Sequence, residues 1–186
     1  MKKTLIAAAL AVTAVLPFAA QADASSQTND FFVAGNLGQS NARDGLVTHK
    51  TSVFQNVRFG WRWNGIVGAE VGYAYLGRAK LESAYDALSI KNQAATVGVT
   101  AKYDFVPNWY VTGHAGYARM RTTGTWTAGD NTTTSRDWNN GWYAGAGVGY
   151  NLSSKASLGL NYDNYHVKAY SKGNIAAYSV SYEYRF

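Results

Sequence analysis

The chain has 186 residues, of which 47% are hydrophobic, 15% aromatic and 15% charged, with 19 Gly, only 2 Pro and a mean hydropathy of −0.24. This sets aside collagen-like and Pro-rich chains and helical membrane bundles, which need several apolar runs of about 20 residues, but not a membrane barrel, whose alternating residues cancel in the mean. The net charge of +6 is spread over single Lys and Arg residues, so nucleic acid is not an expected partner, and the absence of Cys excludes disulfides and thiolate chemistry.

The chain opens with a basic Met1-Lys2-Lys3, an apolar stretch over residues 5–20 and an A-x-A pattern at Ala20-Gln21-Ala22. Together these predict a secretory signal peptide over residues 1–22, cut before Asp23 and exported through the Sec pathway. Its loss would take the net charge from +6 to +4. Residues 23–29 read as a loose polar N-terminus, and residues 30–186 as one barrel domain.

From Asp30 onward no 3.6-residue period is sustained, and period-two alternation takes over. The first strand sets Phe31, Val33 and Leu37 against Ala34, Asn36 and Gly38. The second sets Val53, Val57, Phe59, Trp61 and Trp63 against Asn56, Arg58, Gly60 and Arg62. In the third, Val67, Ala69, Val71, Tyr73 and Tyr75 oppose Gly68, Glu70, Gly72 and Ala74. The fourth places Ala95, Val97, Val99, Ala101 and Tyr103 opposite Thr96, Gly98, Thr100 and Lys102. In the fifth, Trp109, Val111, Ala115 and Tyr117 oppose Thr112, His114 and Gly116. The sixth sets Trp142, Ala144, Ala146, Val148 and Tyr150 against Tyr143, Gly145, Gly147 and Gly149. The seventh sets Leu158, Leu160 and Tyr162 against Gly159, Asn161 and Asp163. The last has Tyr178, Val180, Tyr182, Tyr184 and Phe186 opposite Ser179, Ser181, Glu183 and Arg185. Alternate residues of a strand lie on opposite faces of its sheet.

The connections alternate in length. Short turns are expected at Asn64-Gly65, at 104–108 with Pro107, and at 151–154; Asn-Gly between alternating runs is a strong hairpin signal. Longer loops are expected at about 41–50, 78–86, 122–136 and 169–173. The pattern predicts an all-β, eight-stranded, antiparallel up-and-down barrel.

One face carries the bulky apolar residues and the other Gly, Ser, Thr, Asn and most strand charges. Eight strands enclose little volume, so the small and polar set suits the lumen and the bulky set suits lipid. Trp61, Trp63, Tyr103, Trp109, Tyr150, Tyr184 and Phe186 lie near the short turns or the C-terminus and form a candidate aromatic girdle. Tyr75, Tyr117, Trp142 and Tyr162 are candidates for a second one. The inward set, Arg58, Arg62, Glu70, Lys102, His114, Asp163, Glu183 and Arg185, must be paired or hydrogen-bonded in a narrow interior. Glu70 and Glu183 are the expected acceptors for Arg58, Arg62, Lys102 or Arg185.

The alternating Tyr178, Val180, Tyr182, Tyr184 and terminal Phe186 resemble the terminal signature of bacterial outer-membrane proteins, which the barrel-assembly machinery reads. With the signal peptide, strand count and girdles, the chain resembles small outer-membrane barrels of the OmpA-transmembrane-domain and OmpX/Ail type over residues 30–186. The resemblance implies a monomer in the outer membrane of a Gram-negative bacterium, with membrane lipid and lipopolysaccharide as partners. Unlike full-length OmpA proteins, no peptidoglycan-binding domain is expected after the barrel.

Some barrels of this size modify lipid A with a Ser/His/carboxylate set at the outer rim. His49 is expected in the first loop, His114 inside, and His166 near the outer end of the seventh strand, with Asp163 three positions before it and Ser171 in the next loop. A three-residue spacing puts His166 and Asp163 on opposite faces, so no enzyme, metal site or cofactor is expected. Gly145, Gly147 and Gly149 alternate within a strand and are no phosphate loop. Arg78 and Lys80, with Lys50, Arg121, Arg136, Lys168 and Lys172, stand at loop bases where lipopolysaccharide phosphates would lie. The expected role is structural or surface-interacting; a narrow low-conductance pore, a host-surface adhesin and, last, a lipid A-modifying enzyme are the alternatives.

Overall fold

The computed structural model describes residues 29–44, 47–63, 65–82, 86–128, 131–168 and 172–186. The signal-peptide reading of residues 1–22 lies outside them. Eight strands follow in chain order: β1 (Asn29–Asp44), β2 (Val47–Trp63), β3 (Val67–Glu82), β4 (Asp86–Val106), β5 (Trp109–Ala128), β6 (Asn131–Asn151), β7 (Ala156–Lys168) and β8 (Lys172–Arg185). Each pairs antiparallel with its sequence neighbour, and β1 pairs with β8 to close the barrel. The closing seam runs from Phe32↔Arg185 to Arg43↔Asn174, and the last N–H, of Phe186, donates to the Phe31 carbonyl at 3.0 Å. Closure matters because hydrocarbon offers no partner to an open edge.

Three tight ends lie together. Gly65 turns β2 into β3 with φ +67°, and the Ile66 N–H donates to the Trp63 carbonyl at 3.0 Å. Pro107 and Asn108 turn β4 into β5; Asn108 has φ 66°, a left-handed conformation that Asn tolerates better than most residues. The third spans residues 152–155, where the Leu152 N–H donates to the Ala156 carbonyl at 2.8 Å.

At the other end the structure corrects the sequence reading. The expected loops are largely strand. In 122–136 the ladder continues from Thr122↔Asp137 to Ala128↔Asn131, and in 78–86 from Arg78↔Lys91 to Glu82↔Ala87. Strand also occupies most of 41–50. The repeated Thr at 122, 123, 125, 127 and 132–134 explains the longest extension, because β-branched side chains fit a pleated ladder and polarity alone does not break one. β3 to β6 thus stay laddered to one another beyond the points where β2 and β7 leave them, and β6 also rises past the end of β7. β2 pairs with β3 only as far as Gln55↔Tyr75, and β6 with β7 only as far as Gly141↔Val167. A four-stranded ribbon stands beyond the barrel mouth, its β3 edge off the β2 ladder but touched by the Ser52 hydroxyl, which donates to the Arg78 carbonyl at 2.9 Å, and its β6 edge rising past β7. The first strand begins at Asn29, one residue before the expected boundary.

Candidate functional site: the filled lumen and the outer wall

The inward positions of the eight strands stack into three levels. Nearest the tight turns, Arg62 grips Glu183 through two parallel bonds, Nη1 to Oε1 at 2.9 Å and Nη2 to Oε2 at 2.8 Å. Lys102 reaches the same carboxylate at 3.0 Å and donates to Ser157 Oγ at 2.8 Å. Both cations also rest on rings that the sequence pattern did not single out: Arg62 lies 3.8 Å from the Phe32 centroid and Lys102 3.8 Å from that of Tyr110. Two cations on one carboxylate leave a net charge, and the ring faces offset part of it.

One level up, Glu70 accepts from Arg58 at 3.4 Å and from the Tyr143 hydroxyl at 2.9 Å. Arg58 Nη1 also lies 2.8 Å from His114 Nδ1. A guanidinium can only donate, so Nδ1 accepts, and the ring proton sits on Nε2, which donates to Asp163 Oδ1. Glu70, Arg58, His114 and Asp163 thereby form a chain from β3 through β2 and β5 to β7. Arg185 joins none of these ion pairs among the described residues.

The third level departs from an all-polar lumen. Phe54, Leu76, Met120, Tyr143, Tyr165 and Ile175 pack with Ala74, Ala94, Ala118 and Ala177 into an apolar layer. Two hydroxyls break it: that of Tyr165 accepts from Asn56 Nδ2 at 3.0 Å, and that of Tyr143 reaches down to Glu70. Large side chains lie over glycines of nearby strands: a Cβ at Gly98 or Gly116 would strike Tyr143, and one at Gly149 or Gly159 would strike Tyr110. Phe54, Met120 and Tyr165 have the inward parity of Asn56, His114 and Asp163, so strict alternation carried past the polar stretch would have found them. Leu76 is the extra residue of the bulge between Tyr75 and Gly77, where parity shifts.

The outward positions are apolar and exposed. The candidate girdle residues lie together at the tight-turn end, where Trp61 and Trp63 touch at 4.5 Å, Trp109 and Tyr150 at 5.5 Å, and Tyr184 and Phe186 at 5.3 Å. Phe31 extends this belt by stacking on Trp61 at 6.3 Å. Of the terminal signature, Tyr178, Val180 and Phe186 are exposed and Tyr182 and Tyr184 half-buried on the β8 wall. At the far end Tyr117 pairs with Trp142, and Tyr162 lies 5.0 Å from Tyr178. His166 stacks on Trp142 and bonds Asn174, whereas Asp163 points into the lumen; the two do not meet. Arg78 is exposed at the rim. The side chains of Lys80, His49, Lys50, Lys168, Ser171 and Lys172 lie outside the described residues.

A bulky apolar wall with aromatic rings at both ends, closed around a polar and aromatic filling, is the arrangement a bilayer demands of a β-protein. The model of the outer membrane protein beta-barrel domain matches residues 7–186. The chain belongs to this family. It is 32% identical over 110 residues to outer membrane protein A of Yersinia pseudotuberculosis, a match over 55% of this chain and 30% of that relative's length. By structure it is similar to Ail, the attachment invasion locus protein of Yersinia pestis, with TM-score 0.64, 14% identity and coverage of 86% of this chain and 100% of that one. It is also similar to Neisserial surface protein A, with TM-score 0.68, 16% identity, and 84% and 97% covered. At such identities the two structures speak for the fold. The barrel is thus a bacterial outer-membrane protein, and its strands cross the bilayer.

Proposed function

We propose that this barrel is a sealed, non-catalytic envelope protein that holds its four-stranded ribbon outside the cell as a contact surface. The filled lumen is the observation that carries the reading. Arg62, Tyr143, Tyr165, Phe32, Phe54 and Glu70 are fully buried and span all three levels. An ion would have to part the Arg62–Glu183–Lys102 cluster and then the apolar layer, leaving buried charges unpaired. Catalysis is disfavoured on similar grounds: both ring nitrogens of His114 are engaged inside the lumen, and His166 has no carboxylate partner among the described residues.

In this reading residues 1–22 direct export, and the β8 face ending at Phe186 is handed to the assembly machinery. The barrel works as a monomer, and the ribbon or rim meets lipopolysaccharide or an external partner. A deletion strain complemented with the full chain and with a variant whose residues 124–135 are replaced by a two-residue turn tests the role. The full chain is expected to restore envelope integrity and serum survival, and the shortened chain to fold but not restore them. Full rescue by the shortened chain would overturn the ribbon's part. The similarity to a protein named for attachment and invasion favours an adhesive contact as the second reading, which binding of whole cells to host surfaces would decide.

A further inference from the structure

Beyond the upper aromatic ring the outward wall of β3 to β5 becomes basic. Arg119 and Arg121 share the outward parity of Tyr117 and lie 5.1 and 5.6 Å from the Trp138 ring on β6. On β4, Lys91 Nζ sits 5.6 Å from the ring of Tyr75, and Arg78 on β3 pairs in register with Lys91. None of these four cations forms an ion pair among the described residues. Asp137 pairs with Thr122, which faces the other way. Like charges on adjacent strands repel, so this band calls for an anion.

Its height says which anion. Tyr117 is eight residues along β5 from Trp109, and Arg121 twelve. At about 3.3 Å per residue and a tilt of about 40°, Arg119 and Arg121 stand ~25–30 Å above the lower girdle, where the ~25 Å apolar band ends. Directly below them on β5 and β6 the wall is smooth. Gly113 pairs with Ala146 and Ala115 with Ala144, and a Cβ at Gly113 would meet nothing nearer than 3.9 Å. Tyr117, Val111, Trp142 and Val148 flank this shallow recess.

We propose that this wall is a binding site for a phosphorylated glycolipid of the outer leaflet. Its phosphates lie on Arg119, Arg121, Lys91 and Arg78, and its acyl chains on Gly113, Ala115, Ala144 and Ala146. The site rests on the reading that the ribbon end faces outward. It deepens that reading by giving the lipopolysaccharide contact its phosphate-holding and acyl-holding residues.

Native mass spectrometry of the full chain in detergent tests it with three probes: bisphosphorylated lipid A, the same lipid without phosphates, and phosphatidylglycerol. Bisphosphorylated lipid A is expected to bind best, and loss of its phosphates or the R119Q/R121Q pair to weaken binding roughly tenfold. R78Q/K91Q should weaken it in the same direction and serves if the first pair fails to fold. Filling the recess with G113L should lower retention with or without phosphates. Equal binding of the two lipid A forms, or of wild type and both pairs, would overturn the site; phosphatidylglycerol binding as well as lipid A would overturn the glycolipid assignment. Maleimide labelling of T125C on intact cells reads the orientation separately: labelled cells with no lipid effect sink the site alone, and unlabelled cells sink the outward reading.

Discussion

Glu183 is the acceptor that two buried cations share, and its loss is the sharpest test at the level of single residues. Replacing it with Gln removes the charge but keeps the shape, leaving Arg62 and Lys102 buried without a counter-charge. The expected cost is about 3–5 kcal/mol in reversible urea unfolding from lipid vesicles. Gly145→Ala should also destabilise, because its methyl would run into His114 and Asp163. Retained stability in E183Q would mean that the cluster is not what fills the lower lumen. Which residues face inward was legible in the sequence, because period two assigns each side chain to a wall. Which of them pair was not. Arg62 and Glu183 lie 121 positions apart and meet only after β1 and β8 close the seam, and nothing in the spacing separates Arg185, left out of the pairs, from Arg62.

At the level of strands the extended ribbon is the feature the sequence hid. Its Thr-rich stretch reads as a polar loop, because strand length in a barrel is inferred from alternating apolar residues and the ribbon has few. The ladder from Thr122↔Asp137 to Ala128↔Asn131 instead engages the backbone, whatever the side chains. Amide hydrogen exchange of the barrel in vesicles should therefore show protection at 122–128 well above that of a free loop; exchange at the free-loop rate would contradict the ribbon. The turns were easier to foresee. Pro107 and Asn108 supply the fixed φ and the left-handed residue that a two-residue connection needs. Asn108→Ala should cost about 1 kcal/mol of stability, and Asn108→Gly close to nothing.

For the whole molecule, the sorting of residues between two walls explains a chain that is rich in aromatics yet neutral in mean hydropathy. Most bulk and rings face lipid, and charge and small residues face the lumen, with Phe32 and Tyr110 turned inward against the buried cations. The exception, the apolar layer of Phe54, Leu76, Met120 and Tyr165, was illegible as a plug. A large apolar residue at an inward position looks like an error of register until the facing alanines are known. Because this layer sits over two ion-paired levels, the barrel is closed by two different chemistries in series. The most direct measurement of that claim is single-channel recording of the purified, folded chain in planar bilayers. The wild type is expected to give no conductance steps above the lipid background. Steady, voltage-independent steps in the wild type would contradict a sealed lumen.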